Sequence, residues 1–173
     1  AYSIDQHILN TNGILRFPEY QMDMVRLGIG LYGICYKKSD QRNLTEVSSL
    51  KTSISQIKWV KSESNVGYGG NNIGSSDLKI AILPIGYADG FRRSLSDGKG
   101  IVYINNQAAS VIGKVCMDMT MVDVTEINCT EGDEVIIFDQ NHSIKEFSRQ
   151  MDTIPYEALT SISPRVKRVY FQE

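Results

Sequence analysis

From Leu50 onward the chain is cut into apolar runs too short to be helices, at residues 50–60, 78–84, 101–104, 108–115, 121–124, 134–138 and 166–171. Runs of this length, rich in Val, Ile and aromatic residues and separated by turn chemistry, read as strands. Asn105-Asn106 between two of them is a hairpin signal, and Glu131-Gly132-Asp133 precedes another. Many short strands with turns at intervals need a closed or two-layered sheet to bury their apolar faces. Helices are few. Ser143-Ile144-Lys145-Glu146 is a capping box, with Ile144, Phe147 and Met151 following at helical spacing, and a second short helix is expected over about 155–160 with Pro155 in its first turn. The fold class is therefore mainly β, a closed or two-layered β domain with one or two short helices.

The first 36 residues are different in character. Residues 24–34, "MVRLGIGLYGI", read as a buried, glycine-interrupted strand, and 8–15 as the end of a helix or a βα loop. Phe17-Pro18-Glu19-Tyr20 reads as a turn, and 37–43, "KKSDQRN", as a polar connector. A buried-type strand with no sequence neighbour to pair with implies the tail of another domain. The expected division is 1–36 as that tail and 37–173 as the β domain, the whole being a fragment of a longer chain.

Composition narrows the function classes. The 18 basic residues are scattered against 20 acidic ones, with a sequence pI near 5.7, so neither nucleic acid nor another polyanion is an expected partner. No apolar run approaches the roughly 20 residues of a membrane span and residues 1–10 lack a signal-peptide pattern, which leads to a cytoplasmic expectation with no membrane contact. Cys35, Cys116 and Cys129 show no C-x-x-C spacing and read as reduced core or near-site thiols. His7 and His142 are too few to assemble a metal site or a triad.

Three places stand out chemically. Tyr68 in "SNVGYGG" is either packing at a strand end or a phenol given room by glycines to approach a ligand or another chain. Tyr87 in "IGYADG" repeats the pattern, with Asp89 either making an Asx-turn or serving a site. Arg26, inside a buried-type run, must meet an anion, an acceptor or a cofactor atom, because an unpaired buried guanidinium would cost several kcal/mol; a structural salt bridge and a site role both satisfy that. "GKVCMDMTM" (113–121) joins a thiol, three methionines and Asp118, and reads first as adaptable core.

Six ordered blocks, "HILNTNGILRFPEY", "DMVRLGIGLYG", "NVGYGG", "ILPIGYADGFRR", "VIGKVCMDMTMVDVT" and "PYEALTSISPRVKRVY", resemble the alanine racemases over essentially the whole chain. The resemblance implies a remnant of a (β/α)8 barrel followed by a β-barrel with one or two short helices like that family's C-terminal domain. It implies pyridoxal 5′-phosphate as cofactor, alanine as substrate, a homodimer, and D-alanine supply for peptidoglycan. Tyr68 matches the family's catalytic tyrosine, the base for the α-proton of L-alanine, contributed across the dimer interface. Arg26 matches the arginine facing the cofactor's pyridine nitrogen, with His7 and Asn10 supporting it. Thr11 matches a hydroxyl on the cofactor phosphate, where serine is common, with backbone N–H groups at Gly28 and Ile29. Met117 matches a residue whose backbone reaches the alanine carboxylate, and Tyr87 and Asp118 match a narrow mouth suited to a small amino acid.

Two departures accompany the match. Pro164 stands where the family often has a phosphate-contacting tyrosine, and the family's cofactor-bearing lysine motif is not found in this sequence. The isolated chain is accordingly expected to be inactive. Rival readings are a racemase of serine or another small amino acid, and a non-catalytic dimerisation or regulatory module within a fused enzyme.

Overall fold

The computed structural model describes residues 2–67, the backbone of 71–72, and residues 76–171. The chain divides into two compact units, Ala1–Ser48 and Ser49–Glu173.

The second unit is built on an antiparallel sheet of seven strands in the order β1-β9-β6-β7-β8-β5-β2. These are β1 (Leu50–Ser53), β2 (Gln56–Val60), β5 (Leu78–Leu83), β6 (Ile101–Ile104), β7 (Gln107–Ile112), β8 (Thr120–Asp123) and β9 (Glu134–Phe138). A two-stranded ribbon pairs β3 (Asn65–Val66) with β4 (Asn71–Asn72). The mainly β expectation therefore holds, and most of the expected strands form within a residue or two of their bounds.

The single strand expected over 50–60 is two strands. Leu50–Ser53 pairs with β9, and at Ile54-Ser55 the chain changes partner: Ile54 N–H donates to Asp133 O (3.0 Å), whereas Ser55 N–H and its hydroxyl both donate to Ile82 O (2.9 and 2.8 Å). Both ends of the sheet thus belong to one bent stretch, which curls the sheet upon itself. The same switch occurs in β7, whose first residues pair with β6 while Val111 and Ile112 pair with Val122 and Met121 of β8.

Side chains alternate as a one-sided sheet requires. Val102 and Ile104 of β6, Val122 of β8 and Leu83 of β5 point inward and are fully buried, as is Val111 of β7. The β6–β7 hairpin turns on Asn105 and Asn106, both with positive φ (50° and 61°), the left-handed pair that a two-residue turn needs and that asparagine tolerates.

Helix α3 (Ile144–Gln150) packs on β9, and α4 (Pro155–Ser161) packs on α3. Ser143 caps α3 by accepting from Lys145 N–H (3.2 Å), and Phe147 stacks between Phe91 and Phe138 at centroid distances of 6.0 and 5.6 Å. Burial of that ring contributes about 2–3 kcal/mol. The strand expected over 166–171 does not form. Val169, Tyr170 and Phe171 are exposed and pair with no strand among the described residues, while Arg168 ties the chain instead to the carbonyls of Ile162, Ser163 and Val166.

In the first unit, α1 (Thr11–Arg16) starts at Asn10, whose side-chain oxygen accepts from Gly13 N–H (3.1 Å). A 3-10 turn, Pro18–Tyr20, stands where a turn is expected, and α2 (Lys38–Gln41) occupies the polar connector. The buried strand expected over 24–34 is absent. Arg26 makes one parallel bridge with Asn10, after which the chain enters a 3-10 helix, Ile29–Tyr32, and leaves it through Gly33 at φ 75°. A Cβ at Gly33 would fall 1.6 Å from Thr45 O, so only glycine permits that close approach. Met24, Leu27, Leu31 and Tyr32 are exposed rather than buried. Among the described residues no helix is long and apolar enough to cross a membrane.

Candidate active site

Three of the predicted site residues are brought together in the second unit by backbone pairing. After β5 the chain turns through 84–90, and its N–H groups meet the carbonyls of the turn before β8: Tyr87 N–H donates to Cys116 O and Ala88 N–H to Met117 O, each at 3.0 Å. Gly86 makes this approach possible, since a Cβ there would lie 2.3 Å from Cys116 O and 2.4 Å from Met117 O. Thr120, fully buried, donates its hydroxyl to Ile85 O (2.7 Å) and locks the same two segments from below.

The result places Tyr87, Met117 and Asp118 on one accessible rim. Tyr87 is 45% and Met117 53% exposed, so the tyrosine is a rim residue and the methionine is not the core filler that a methionine cluster would ordinarily be. Met119 is likewise half exposed. Met117 spends its carbonyl on Ala88, and among the described residues its N–H has no acceptor, which leaves that donor for a ligand.

Asp89 does two things. Its Oδ2 accepts from Gly86 N–H (2.9 Å), the local turn bond expected of it, and its Oδ1 accepts from Arg165 Nε (2.7 Å). Burial pushes its carboxyl upward, but the Arg165 hydrogen bond and charge and the Gly86 N–H outweigh burial, so the net shift is downward and the carboxylate form is held. The same guanidinium donates from Nη2 to Asp118 Oδ1 (2.5 Å), and the two carboxylates together raise its own pKa. Arg165 was missed in the sequence. No local signal points to it, since Asp89 has Arg92 and Arg93 and Asp118 has Lys114 nearer along the chain.

In the first unit Thr11 is buried and its Oγ1 accepts from both Gly28 N–H (3.1 Å) and Gly30 N–H (3.2 Å). With both lone-pair directions filled by donors, the hydroxyl has only its proton left to offer. The Gly28 N–H is thus committed to Thr11, whereas among the described residues the Ile29 N–H has no acceptor. Arg26 is exposed, not buried as its sequence context implies, because the segment around it is not a strand interior. Its Nη2 donates to Ile8 O (3.1 Å) and its N–H to Leu9 O (2.9 Å). Asn10 uses its side-chain oxygen to cap α1 and meets Arg26 through the backbone bridge, and His7 is exposed. Pro164 follows α4 directly before Arg165.

Tyr68, the predicted catalytic tyrosine, lies outside the described residues. Gly67 beside it has φ 71°, and a Cβ there would meet Met121 Cε at 3.0 Å. Of the three thiols, none in a disulfide, Cys35 and Cys129 are buried, and Cys116 sits partly buried in the turn that carries Met117.

Residues 47–170 match the alanine racemase C-terminal domain family. An alanine racemase of Clostridium perfringens strain SM101 is 42% identical over 173 residues, which is 95% of this chain and 45% of that protein. Among solved structures, alanine racemase of Clostridium difficile 630 superposes with a TM-score of 0.88 at 35% identity, over 96% of this chain and 45% of the other. Alanine racemase of Bartonella henselae, with covalently bound pyridoxal phosphate, gives 0.89 at 30% identity over 98% of this chain and 48% of the other. The chain spans just under half the length of the relatives it matches. A shared fold, the family match and this extent of identity lead to one conclusion: the chain belongs to the alanine racemase family and corresponds to its C-terminal portion.

Proposed function

We propose that this chain is the C-terminal part of a cytoplasmic, homodimeric alanine racemase that interconverts L- and D-alanine and supplies D-alanine for peptidoglycan. Residues 1–36 are the end of its cofactor-binding barrel and 37–173 its C-terminal β domain. The observation that carries the reading is the rim in which Gly86 and Thr120 hold Tyr87, Met117 and Asp118 together, within a fold shared with alanine racemases over 96% of the chain.

Pyridoxal 5′-phosphate, when bound, supplies an electron sink that acidifies the α C–H of an amino acid. The residues present fit it. Thr11 is buried with only its proton to donate and suits a phosphate oxygen, and the unspent N–H of Ile29 suits a second, with Gly28 holding Thr11 in place. Arg26 has donors beyond the one given to Ile8 O, and a guanidinium does not readily give a ring nitrogen its proton, so the sink would stay weak and side reactions slow. Asn10 bridges to Arg26 through the backbone and, with His7 three residues before it, supports its position.

Racemisation needs a base on each face, because a proton removed from one side is replaced from the other. Tyr68 is the base for the L-face, acting in the partner subunit's site, and the D-face base is the lysine that carries the cofactor elsewhere in the protein. A free phenol has a pKa near 10, so the site must favour the phenolate for Tyr68 to work at neutral pH. The Met117 N–H binds the alanine carboxylate, and Tyr87 and Asp118 narrow the mouth.

The test has two arms. The chain alone, mixed with pyridoxal phosphate and L-alanine, is expected to form no D-alanine; appreciable turnover overturns its inactivity in isolation. Joined to a lysine-bearing barrel half it is expected to racemise alanine. There Tyr68→Phe should slow α-proton exchange from L-alanine by about 10²-fold or more, with a much smaller effect on D-alanine. Equal losses on both faces would falsify the assignment of Tyr68.

A further inference from the structure

Arg165 adds a side-chain clamp to two turns that the backbone already pairs through Tyr87 and Ala88. On one side Nε meets Asp89, 76 residues away in the chain; on the other Nη2 meets Asp118, 47 residues away. Only a planar guanidinium offers two donors at a fixed angle for this purpose. Its own backbone is anchored to the same place, because Ser163 N–H donates to Asp89 O (3.2 Å) and Arg168 fastens the 162–166 carbonyls. The Asp89 carboxylate is 13% exposed and oriented by the Gly86 N–H, so it is a fixed post, whereas Asp118 is 56% exposed and stands free on the rim. An ion pair that open contributes little to global stability, so its effect is on where the Asp118 side chain and the Met117 N–H beside it point.

We infer that Arg165 is a positioning residue for the substrate mouth: by pinning the Met117–Asp118 turn to the Tyr87 turn it sets how large an amino acid the mouth admits. The inference takes the rim to be the mouth of a racemase, as proposed above, for its catalytic consequence; the coupling between the two turns stands without it. The carboxylate of Asp118 is turned toward the guanidinium, which offsets its charge at the mouth. Lysine keeps the charge but, as a single point donor, does not hold both carboxylates at the fixed angle.

Two measurements test this. In the 173-residue chain, hydrogen exchange at the Tyr87 and Ala88 amides is expected to speed up about tenfold in Arg165→Gln, with an unchanged melting temperature, and to stay as in the parent in Arg168→Gln. In the protein carrying the lysine-bearing barrel, Arg165→Gln and Arg165→Lys are both expected to raise KM for alanine about tenfold, keep kcat within about threefold, and increase turnover of serine relative to alanine. Unchanged exchange in Arg165→Gln, full rescue by lysine, or a fall in kcat at constant KM overturns the inference. Should the parent protein fail to racemise alanine at all, the functional reading fails, and the exchange measurement alone then decides whether Arg165 couples the two turns.

Discussion

Gly30→Ala is expected to damage the first unit by way of the Thr11 methyl group. A Cβ at position 30 would lie 2.8 Å from Thr11 Cγ2 and 3.0 Å from Leu27 Cδ1. Leu27 is exposed and can swing aside. Thr11 cannot, because its Oγ1 accepts from both Gly28 and Gly30, and turning the methyl away breaks both bonds. Overpacking of this kind costs about 1–3 kcal/mol, and losing two hydrogen bonds costs about 2 kcal/mol, so either escape route is comparable. Alanine also narrows the unfolded ensemble, which returns about 0.4–1 kcal/mol. The net expectation is a loss of about 1–2 kcal/mol. In a Thr11→Ser background the methyl is gone while the oxygen remains, so Gly30→Ala should become neutral or slightly stabilising. The coupling between the two positions is then about 2 kcal/mol, or roughly thirtyfold in the protection of the Gly28 amide. Native-state hydrogen exchange on the four proteins of this cycle measures it directly. Effects that add to within about 0.5 kcal/mol would refute the steric account. Confirmation would explain why the chain combines threonine at 11 with glycine at 30, since each makes the other tolerable.

Two further outcomes follow from the second unit. Asp139 is pushed up by burial, but the His142 and Asn141 N–H groups and the His142 ring more than compensate, so its folded pKa is lowered, as is that of Asp89. Groups lowered on folding contribute stability above the ordinary carboxylate pKa of about 4 and lose it as pH falls through the folded value, so the urea midpoint should drop between about pH 4 and pH 2. Asp139→Asn should flatten part of that drop, and a midpoint that holds constant or rises on acidification would contradict the assignment. Thr120→Val, nearly isosteric, leaves Ile85 O buried and unpaired and should cost about 1–3 kcal/mol in urea unfolding; an unchanged midpoint would mean that another donor reaches that carbonyl.

The β domain was legible because its signals are local. Short runs bounded by Asn105-Asn106 or by Gly132 can be read without knowing what they pair with, and Ser143 announces α3 by chemistry confined to one turn. What escaped was set by distant partners. The bend at Ile54-Ser55 arises because Asp133 lies on one side and Ile82 on the other, and no feature of the 50–60 run reveals the switch. Residues 24–34 have a strand's composition, yet the N–H groups at Gly28 and Gly30 find a threonine hydroxyl instead of a ladder, so a 3-10 helix results. The run at 166–171 has a strand's residues and no strand beside it among the described residues. At the rim, Tyr87, Met117 and Asp118 were named by resemblance to a family, whereas Arg165 required knowing that the loop after α4 returns to the turn after β5.

The bent stretch from Leu50 to Val60 also orders events in time. One arm finds its partner soon, with Ser55 meeting Ile82 only 27 residues on, while the other must wait for Glu134, 83 residues beyond Lys51. During synthesis the first arm emerges long before the strand that will cover it, so for that interval the nascent chain presents an unpaired ribbon. Docking of Glu134–Phe138 onto that waiting arm is a long-loop closure, and contacts of this range slow folding.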